Sequence, residues 1–196
     1  MSEILILYYS RNGSVEQLAN QIARGVAEAG SVARLRTVPA VSANHLATEA
    51  AVPDTGAPYV SKHDLAECSG LILGSPTRFG NMAAPMKYFW DSTGAEWASG
   101  TLVGKPAGVF TSTASMHGGQ ESTLLSMMLP LLHHGCILVG VPFTEPAVSS
   151  TQSGGTPYGA SHVSGTDGKK IFSEDENVIA KALGKRIAQI TQKLST

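Results

Sequence analysis

The sequence has little of what marks secreted, membrane or nucleic-acid-binding proteins. Only two of its 196 residues are cysteines, Cys68 and Cys136, too few for a disulfide framework and typical of a reducing compartment. The formal net charge is −1 and no long basic run occurs, so nothing favours nucleic acid as a partner. No apolar stretch approaches the roughly 20 residues that span a bilayer, and no signal-peptide pattern opens the chain. We therefore expect a single cytoplasmic domain, residues 1–196, with no nucleic-acid partner and no membrane insertion.

Two familiar nucleotide-binding signatures are missing as well. The first apolar run, Ile4–Tyr9, is followed by Ser10–Val15, a loop without the G-x-G-x-x-G pattern of dinucleotide-binding turns. The loop also lacks the glycine-lysine ending of a P-loop, which argues against ATP or GTP hydrolysis. It does contain hydroxyl groups and an arginine, and a helix pattern starts at Glu16. Free N–H groups and the helix dipole favour an anion there, so the loop predicts a phosphate site. The alternative is a simple helix N-cap by Ser10 or Ser14.

Apolar runs with strand character alternate with segments of helical spacing. The run Ile4–Tyr9 predicts a strand buried on both faces, and four more strands are predicted at Val32–Val38, Gly70–Ser75, Pro106–Thr111 and Cys136–Val141. Helices are predicted at Val15–Val26, Asp64–Cys68, Ala84–Asp91, Gln120–His134 and Asn177–Leu194. This alternation predicts an α/β fold with a doubly wound, five-stranded parallel sheet and helices on both faces.

Several details of this prediction concern its edges and interruptions. Arg34 and Arg36 alternate with apolar residues, so Val32–Val38 is expected at an edge of the sheet. Pro76 is expected to end the third strand. Pro39–Lys62 is predicted as a surface excursion, and an insertion is expected at 93–102. The segment 142–170 is rich in Gly, Ser and Thr and too long for a structureless connector, which indicates a functional role.

Ligands of doubly wound sheets bind beyond the carboxyl ends of the strands, at a switch point in strand order. This rule gathers the loops Ser10–Val15, Pro76–Met82 and Ser112–Gly119 into one predicted site. In the second loop, Gly80 permits close backbone approach, Phe79 offers a stacking edge, and Arg78 can balance negative charge on a planar heterocycle. An ordinary turn with a solvated arginine is the alternative there. The third loop offers hydroxyl donors before a helix, the alternative being a loop cap.

Two further features stand apart from these loops. Trp97 lies among small residues, so it either walls a flat substrate pocket or anchors in another subunit. His133 and His134 lack an acidic or cysteine ligand at useful spacing, so no metal site is predicted, and the helix dipole explains two histidines at a helix end. The apolar stretch Leu124–Leu132 is wider than one core face needs, which indicates a subunit interface over part of it.

With these residues in view, the chain resembles the WrbA family of flavodoxin-like NAD(P)H:quinone oxidoreductases over nearly its whole length. The most specific blocks are Pro76–Met82 and Gly154–Ala160. The other matching stretches are Leu7–Ser10 with Gly13, Gly74–Ser75, Trp97–Gly100, Gly118–Glu121 and His133–Gly135. The resemblance implies a flavodoxin-like fold, non-covalently bound FMN, NADH or NADPH as electron donor, and a homotetramer built as a dimer of dimers. It also implies a two-electron, ping-pong reduction of quinones to hydroquinones.

The resemblance also implies roles for individual residues. Arg78 and His133 would be catalytic, and Trp97 and Asn12 would contact the quinone or the nicotinamide. Asn12 stands where the family often has an aromatic residue linked to nicotinamide binding. The residues implied in FMN binding lie in the three loops and at His133: Ser10, Arg11, Asn12, Gly13, Ser14, Val15, Thr77, Arg78, Phe79, Gly80, Ser112, Thr113, Ala114, Ser115, Met116, His117, Gly118 and His133.

Three other functions compete with this one. A flavodoxin-type electron carrier shares the fold, but the near-neutral charge and the insertion that carries Trp97 argue against it. A regulatory protein-interaction role is the second, and no basic helix that could face DNA supports it. A phospho-receiver domain would need acidic residues after the first strand, where Ser10 stands.

Overall fold

The computed structural model describes residues 2–41, 53 and 56–194, which leaves most of the predicted excursion Pro39–Lys62 outside the described part. The described strands are β1 (Glu3–Tyr8), β2 (Val32–Thr37), β3 (Gly70–Arg78), β4 (Asn81–Met82), β5 (Pro106–Thr113), β6 (Ile137–Leu138) and β7 (Ala160–Val163). The described helices are α1 (Ser14–Glu28), α2 (Lys62–Glu67), α3 (Ala84–Asp91), α4 (Gly94–Ala98), α5 (Gln120–His133), α6 (Ala147–Ser150) and α7 (Glu174–Leu194).

The strands form one sheet in the order β2-β1-β3-β5-β6, with parallel pairing along this path. β2 is at the edge, as predicted from its alternating arginines. Because the chain leaves β1 toward β2 on one side and returns to β3 on the other, the switch point lies between β1 and β3. The loops after these two strands therefore open into one crevice, which is where the sequence predicts a ligand.

Helices cover both faces of the sheet because side chains of β1 alternate between two cores. Ile4, Ile6 and Tyr8 pack with α1 and α7 on one face, whereas Leu5 and Leu7 pack with α2, α3 and α5 on the other. All five are at most 3 % exposed, which confirms a strand buried on both faces. This burial supplies the main driving force that holds the switch-point loops in place.

Both cysteines lie in the second core, among the side chains that pack against Leu5 and Leu7. Cys68 and Cys136 are buried and unpaired, and burial raises the pKa of Cys68 to about 11 and that of Cys136 to about 12. Neither thiol is therefore poised to act as a nucleophile at neutral pH.

The predicted parallel sheet is confirmed, but the number and the bounds of its strands differ from the prediction. Within the described residues the sheet has seven strands, because β4 pairs antiparallel with β3 and the fifth position is shared by β6 and β7. The predicted strand Cys136–Val141 is only Ile137–Leu138, and the chain leaves the sheet for a long excursion before β7 returns beside Phe110–Thr113 of β5. Pro76 does not end β3, which runs to Arg78. Pro76 is still in register with Ser112 of β5, but the pairing of β3 with β1 ends at Gly74, so the missing N–H of Pro76 removes no bond to β1.

The two predicted interruptions contain regular structure. The insertion 93–102 contains α4, and the segment 142–170 contains α6 and β7. No helix within the described ranges is long and apolar enough to cross a membrane.

Candidate functional site

A cavity of about 220 Å³ lies at the carboxyl ends of β1, β3 and β5, and we refer to it as the strand-end cavity. All three predicted loops contribute to its wall, together with a fourth segment after β7. Its lining residues are Ser10, Arg11, Asn12, Ser14, Val15, Pro76, Thr77, Arg78, Ser112, Thr113, Ala114, Ser164, Gly165, Thr166 and Gly168. The structure thus brings together the loops that the strand-end rule selected.

The first loop leaves the amino-terminal end of α1 open to a ligand. Gly13 is the N-cap residue of this helix, with a φ of 85°, a left-handed conformation that glycine adopts without strain, and it offers the helix no side-chain acceptor. The Ser10 hydroxyl accepts from the N–H of Glu16 at 3.4 Å, so its own proton is left to donate. Uncapped N–H groups at the end of a 15-residue helix attract an anion. The predicted N-cap by Ser14 is absent, since Ser14 is the first residue of the helix.

The second loop places a hydroxyl and a guanidinium at the cavity. The Thr77 oxygen accepts from Thr123 at 2.8 Å and from the N–H of Gly80 at 3.3 Å, so its own proton is free to donate. Arg78 donates to the Thr77 carbonyl at 2.7 Å, which holds the guanidinium near the cavity wall. Phe79 is fully exposed and has a φ of 54°, a strained conformation for a residue with a Cβ. An exposed aromatic ring on strained backbone is typical of a ligand-binding position.

The third loop divides into two parts. Ser112, Thr113 and Ala114 line the cavity, whereas Ser115–His117 are exposed outside it. Gly118 is half-buried beside them. A Cβ on Gly119 would lie 3.1 Å from the Gly80 Cα, so the second and third loops pack together through glycine backbone. This close approach explains why both loops need glycine at these positions.

The fourth wall consists of residues that sequence reasoning did not single out. Ser164 donates its N–H to the Thr113 carbonyl at 2.8 Å, which continues the pairing of β7 with β5. Lys170 donates its N–H to the Ser164 carbonyl at 2.9 Å and closes the loop between them. The Gly, Ser and Thr content of the segment 142–170 indicated a functional role. Which of its residues reach the cavity depends on β7, and the sequence did not predict a strand there.

The strand-end cavity suits an anionic ligand with many acceptor atoms. Arg11 and Arg78 line it, while no aspartate or glutamate is among its lining residues. Seven of these residues carry hydroxyl groups, namely Ser10, Ser14, Thr77, Ser112, Thr113, Ser164 and Thr166. The hydroxyls of Thr113 and Ser164 donate to the carbonyls of Ser115 and Thr113 at 2.8 and 3.1 Å. The other hydroxyl groups, the two arginines and the open end of α1 fit a phosphate ester and a polyhydroxylated chain, the chemistry that FMN presents.

Trp97 and His133 lie elsewhere, in a second cavity of about 410 Å³ that we refer to as the helix cavity. It is lined by Lys87, Trp90, Asp91, Thr93, Gly94, Trp97, Pro130, His133 and His134, none of which lines the strand-end cavity. The Trp97 indole N–H donates to the His133 carbonyl at 2.9 Å, which fixes an aromatic ring that is 56 % exposed. Within one chain the structure therefore does not bring these two residues to the three loops.

His134, beside His133, is a buried residue of the helix cavity. Burial lowers the pKa of His134, so the ring is neutral at pH 7. The Thr93 hydroxyl donates to the Trp90 carbonyl at 2.7 Å, so it accepts from Nε2–H of His134 at 3.0 Å. This bond accounts for His134 as a structural residue. No group of three metal-ligating side chains occurs in the part of the chain that the structure describes.

Known proteins match this chain over most or all of its length. Residues 3–145 match the family model of NADPH-dependent FMN reductases. Two relatives named NAD(P)H dehydrogenase (quinone) match the whole chain over their own whole length, one from Chromohalobacter salexigens at 47 % identity and one from Gluconacetobacter diazotrophicus at 41 %.

Solved structures confirm the fold. A flavodoxin, WrbA-like protein from Agrobacterium tumefaciens superposes with a TM-score of 0.68 at 20 % identity, covering 98 % of this chain and 99 % of that one. A flavodoxin from the domain Archaea gives a TM-score of 0.63 at 18 % identity, with 97 % and 99 % covered. The fold is therefore flavodoxin-like, and the chain belongs to the family of NADPH-dependent FMN reductases.

Proposed function

We propose that this protein is an FMN-dependent NAD(P)H:quinone oxidoreductase. The observation that carries the proposal is the strand-end cavity, whose hydroxyl groups, arginines and open helix end suit FMN. Full-length relatives that are named NAD(P)H dehydrogenase (quinone) support the substrate pair. When bound, FMN supplies the redox chemistry, taking a hydride from NADH or NADPH and passing two electrons to a quinone in a ping-pong cycle.

In this proposal each loop binds a different part of the FMN molecule. Ser10–Val15 bind the phosphate, and Ser112–Ala114 bind the ribityl chain. Thr77, Arg78 and Phe79 border the flavin ring. Arg78, whose exposed guanidinium is held at the cavity by the Thr77 carbonyl, would balance negative charge on a flavin bound there.

Ser164–Gly168 would close the cavity on the side of Asn12. A Cβ on Gly168 would lie 3.7 Å from the Asn12 amide nitrogen, so the fourth wall and the first loop face each other there. Asn12 then meets the nicotinamide or the quinone at the rim of the cavity.

A second copy of the chain would supply Trp97 and His133. Both residues line the helix cavity, away from the strand-end cavity of their own chain. Beside them α5 exposes Leu125, Leu129 and Leu132, which is an unusual apolar stripe for a surface helix. We propose that this stripe is buried in a homotetramer, a dimer of dimers, in which Trp97 and His133 of one subunit approach the flavin of another. There Trp97 would stack on the quinone, and His133 would donate a proton to it.

The compartment belongs to the same proposal. Two buried, unpaired cysteines fit a protein that works in the reducing cytoplasm.

The absorption spectrum of the purified protein after incubation with FMN tests the cofactor. A shifted flavin spectrum that persists through gel filtration supports the proposal, and unchanged free FMN contradicts it. Steady oxidation of NADH or NADPH by a quinone, with this protein as the only catalyst, tests the reaction. Flavin binding without such turnover would instead indicate an electron carrier. Sedimentation equilibrium measures the oligomeric state, for which a monomer would contradict the tetramer.

A further inference from the structure

His162 lies in β7, directly beneath the fourth wall of the strand-end cavity. It is 1 % exposed, and across the sheet it is in register with Ser112, a lining residue of the cavity. Two residues later the chain reaches Ser164, where the wall begins. A buried histidine in this place needs partners for both ring nitrogens.

Both ring nitrogens of His162 face hydrogen-bond acceptors. Nδ1 lies 3.1 Å from Oε2 of Glu176, and Nε2 lies 3.1 Å from the carbonyl oxygen of Lys170. The ring also stacks on Phe172, with centroids 3.9 Å apart and planes inclined by 12°. Contacts at both ring nitrogens and on one face of the ring therefore fix its position.

Glu176 is an ionised partner of the ring and is itself held by several hydrogen bonds. Its Oε1 accepts from the N–H of Gly154 at 2.9 Å and of Val163 at 3.0 Å, and its Oε2 accepts from the N–H of Ser173 at 2.8 Å. Burial alone would raise the pKa of Glu176, but these bonds and the one from His162 lower it to about 2. Ser173 in turn accepts from the N–H of Glu176, so the pair forms the capping box that starts α7.

The bond from His162 to Lys170 acts on the cavity through the chain. Lys170 closes the loop by donating to the Ser164 carbonyl, and its own carbonyl is bound to His162. Between these two ends lie Gly165, Thr166 and Gly168, which line the cavity. Two of these three are glycines with positive φ, so their backbone has wide freedom once the end of the loop is released.

We propose that His162 is a positioning residue for the cofactor: bound between Glu176 and the Lys170 carbonyl, it holds the loop 164–170 against the strand-end cavity. Loss of the ring frees one end of the loop and weakens cofactor binding. This proposal rests on the proposed function, in which FMN occupies that cavity.

The test compares the wild-type apoprotein with His162→Gln at pH 7. Quenching of flavin fluorescence measures the dissociation constant of FMN for both proteins. We expect the variant to bind FMN about tenfold more weakly, as loss of one buried hydrogen bond predicts. Equal affinities would overturn the positioning role.

A second measurement does not depend on FMN. Hydrogen exchange followed by NMR gives the protection factor of the Lys170 amide in the apoprotein, both for the wild type and for two variants, His162→Gln and His162→Asn. We expect Lys170 to lose protection in each variant that folds while the amides of β1 keep theirs, and unchanged protection of Lys170 would overturn the proposal. If the wild-type protein fails to bind FMN while Lys170 loses protection in this way, the proposed function fails and the positioning of the loop stands.

His63→Gln is the matched control. His63 also pairs with a glutamate, with Nε2 3.0 Å from Oε1 of Glu67, but its side chain is 75 % exposed and lies on α2. We expect this variant to match the wild type in FMN affinity and in protection of Lys170. An effect as large as that of His162→Gln would mean that loss of a histidine–glutamate contact anywhere in the protein suffices.

Discussion

The strand-end cavity and the helix cavity are built in different ways from the same chain. The first is formed by backbone loops at the ends of parallel strands, with hydroxyl groups, two arginines and no carboxylate in its lining. The second is formed by α3, α4 and α5 and is lined by two tryptophans and two histidines. The first has the donors that FMN needs within one chain. The second carries Trp97, an exposed side chain that stacks on no other ring among the residues that the structure describes. In our proposal binding belongs to the first cavity, and catalysis needs the second cavity of another subunit.

The largest expected effect comes from removing the phosphate group of the ligand, which tests the strand-end cavity and leaves the helix cavity unchanged. Riboflavin lacks the group that the Ser10–Val15 loop and Arg11 would bind, and such charge-assisted bonds are each worth about 1.5–3 kcal/mol. We expect riboflavin to bind about a thousandfold more weakly than FMN, which is about 4 kcal/mol. Titration of flavin fluorescence measures both affinities. Equal affinities would mean that the loop is only a helix cap and that the flavin is held elsewhere.

Low pH should destabilise the folded protein, because protonation of Glu176 weakens its bonds to the segments beneath the strand-end cavity. The folded-state pKa of Glu176, about 2, lies below its ordinary value of 4.5, so its stabilisation is complete above pH 4.5 and is lost as pH falls toward 2. The difference corresponds to about 3 kcal/mol. Urea unfolding between pH 6 and pH 2.5 should show this loss in the wild type and a smaller loss in Glu176→Gln, which starts less stable. Glu121→Gln, at an exposed position in the first turn of α5, should follow the wild type. A loss of the same size in Glu176→Gln would assign the acid sensitivity to other groups.

Trp97→Ala should affect turnover and spare cofactor binding. The indole is half exposed in the helix cavity and far from the FMN donors of its own chain, so we expect kcat/KM for the quinone to fall about tenfold. The dissociation constant of FMN should change less than about threefold. Steady-state kinetics and flavin titration give the two values. Tyr88→Ala, at another exposed aromatic position, is the control for surface aromatic loss. A large loss of FMN affinity in Trp97→Ala would place Trp97 in the cofactor site itself.

The smallest expected effect concerns the exposed ring of Phe79. Its left-handed backbone costs about 1 kcal/mol with a Cβ present, and the ring makes no buried contact in the free protein. Phe79→Gly should therefore raise the free energy of unfolding by up to about 1 kcal/mol, while Phe79→Ala should leave it within about 0.5 kcal/mol. Both variants should bind FMN more weakly if the ring borders the flavin. Unchanged FMN affinity in both would remove Phe79 from the proposed site.

The sequence predicted the fold and much of the strand-end cavity because both follow from local patterns. Apolar runs and helical spacing are properties of a single segment, and the strand-end rule converts the order of segments into a set of neighbouring loops. Ten of the residues implied in FMN binding line the cavity, namely Ser10, Arg11, Asn12, Ser14, Val15, Thr77, Arg78, Ser112, Thr113 and Ala114. Their roles toward FMN stay predictions. The flavodoxin-like fold is confirmed, and the predicted enzyme class agrees with the names of the full-length relatives.

The errors come from contacts that join distant segments. Cys136–Val141 has the apolar composition of a strand, but β5 pairs with Ile137–Leu138 at one end and with β7 at the other, so the fifth position is divided. Nothing local in Ala160–Val163 shows that its partner lies about fifty residues earlier in the chain. The fourth wall of the cavity was missed for the same reason.

By itself the sequence determined the alternation of strands and helices, the two buried faces of β1 and the hydroxyl-rich loops at the strand ends, because periodicity and turn chemistry act over a few residues. Only the tertiary structure decided that Ser164–Gly168 would join those loops, that His162 would bind Glu176 and the Lys170 carbonyl together, and that Trp97 and His133 would occupy a separate cavity. Those outcomes depend on which distant segments pack against each other. Packing responds to the shape of the whole core, which no single stretch of sequence contains.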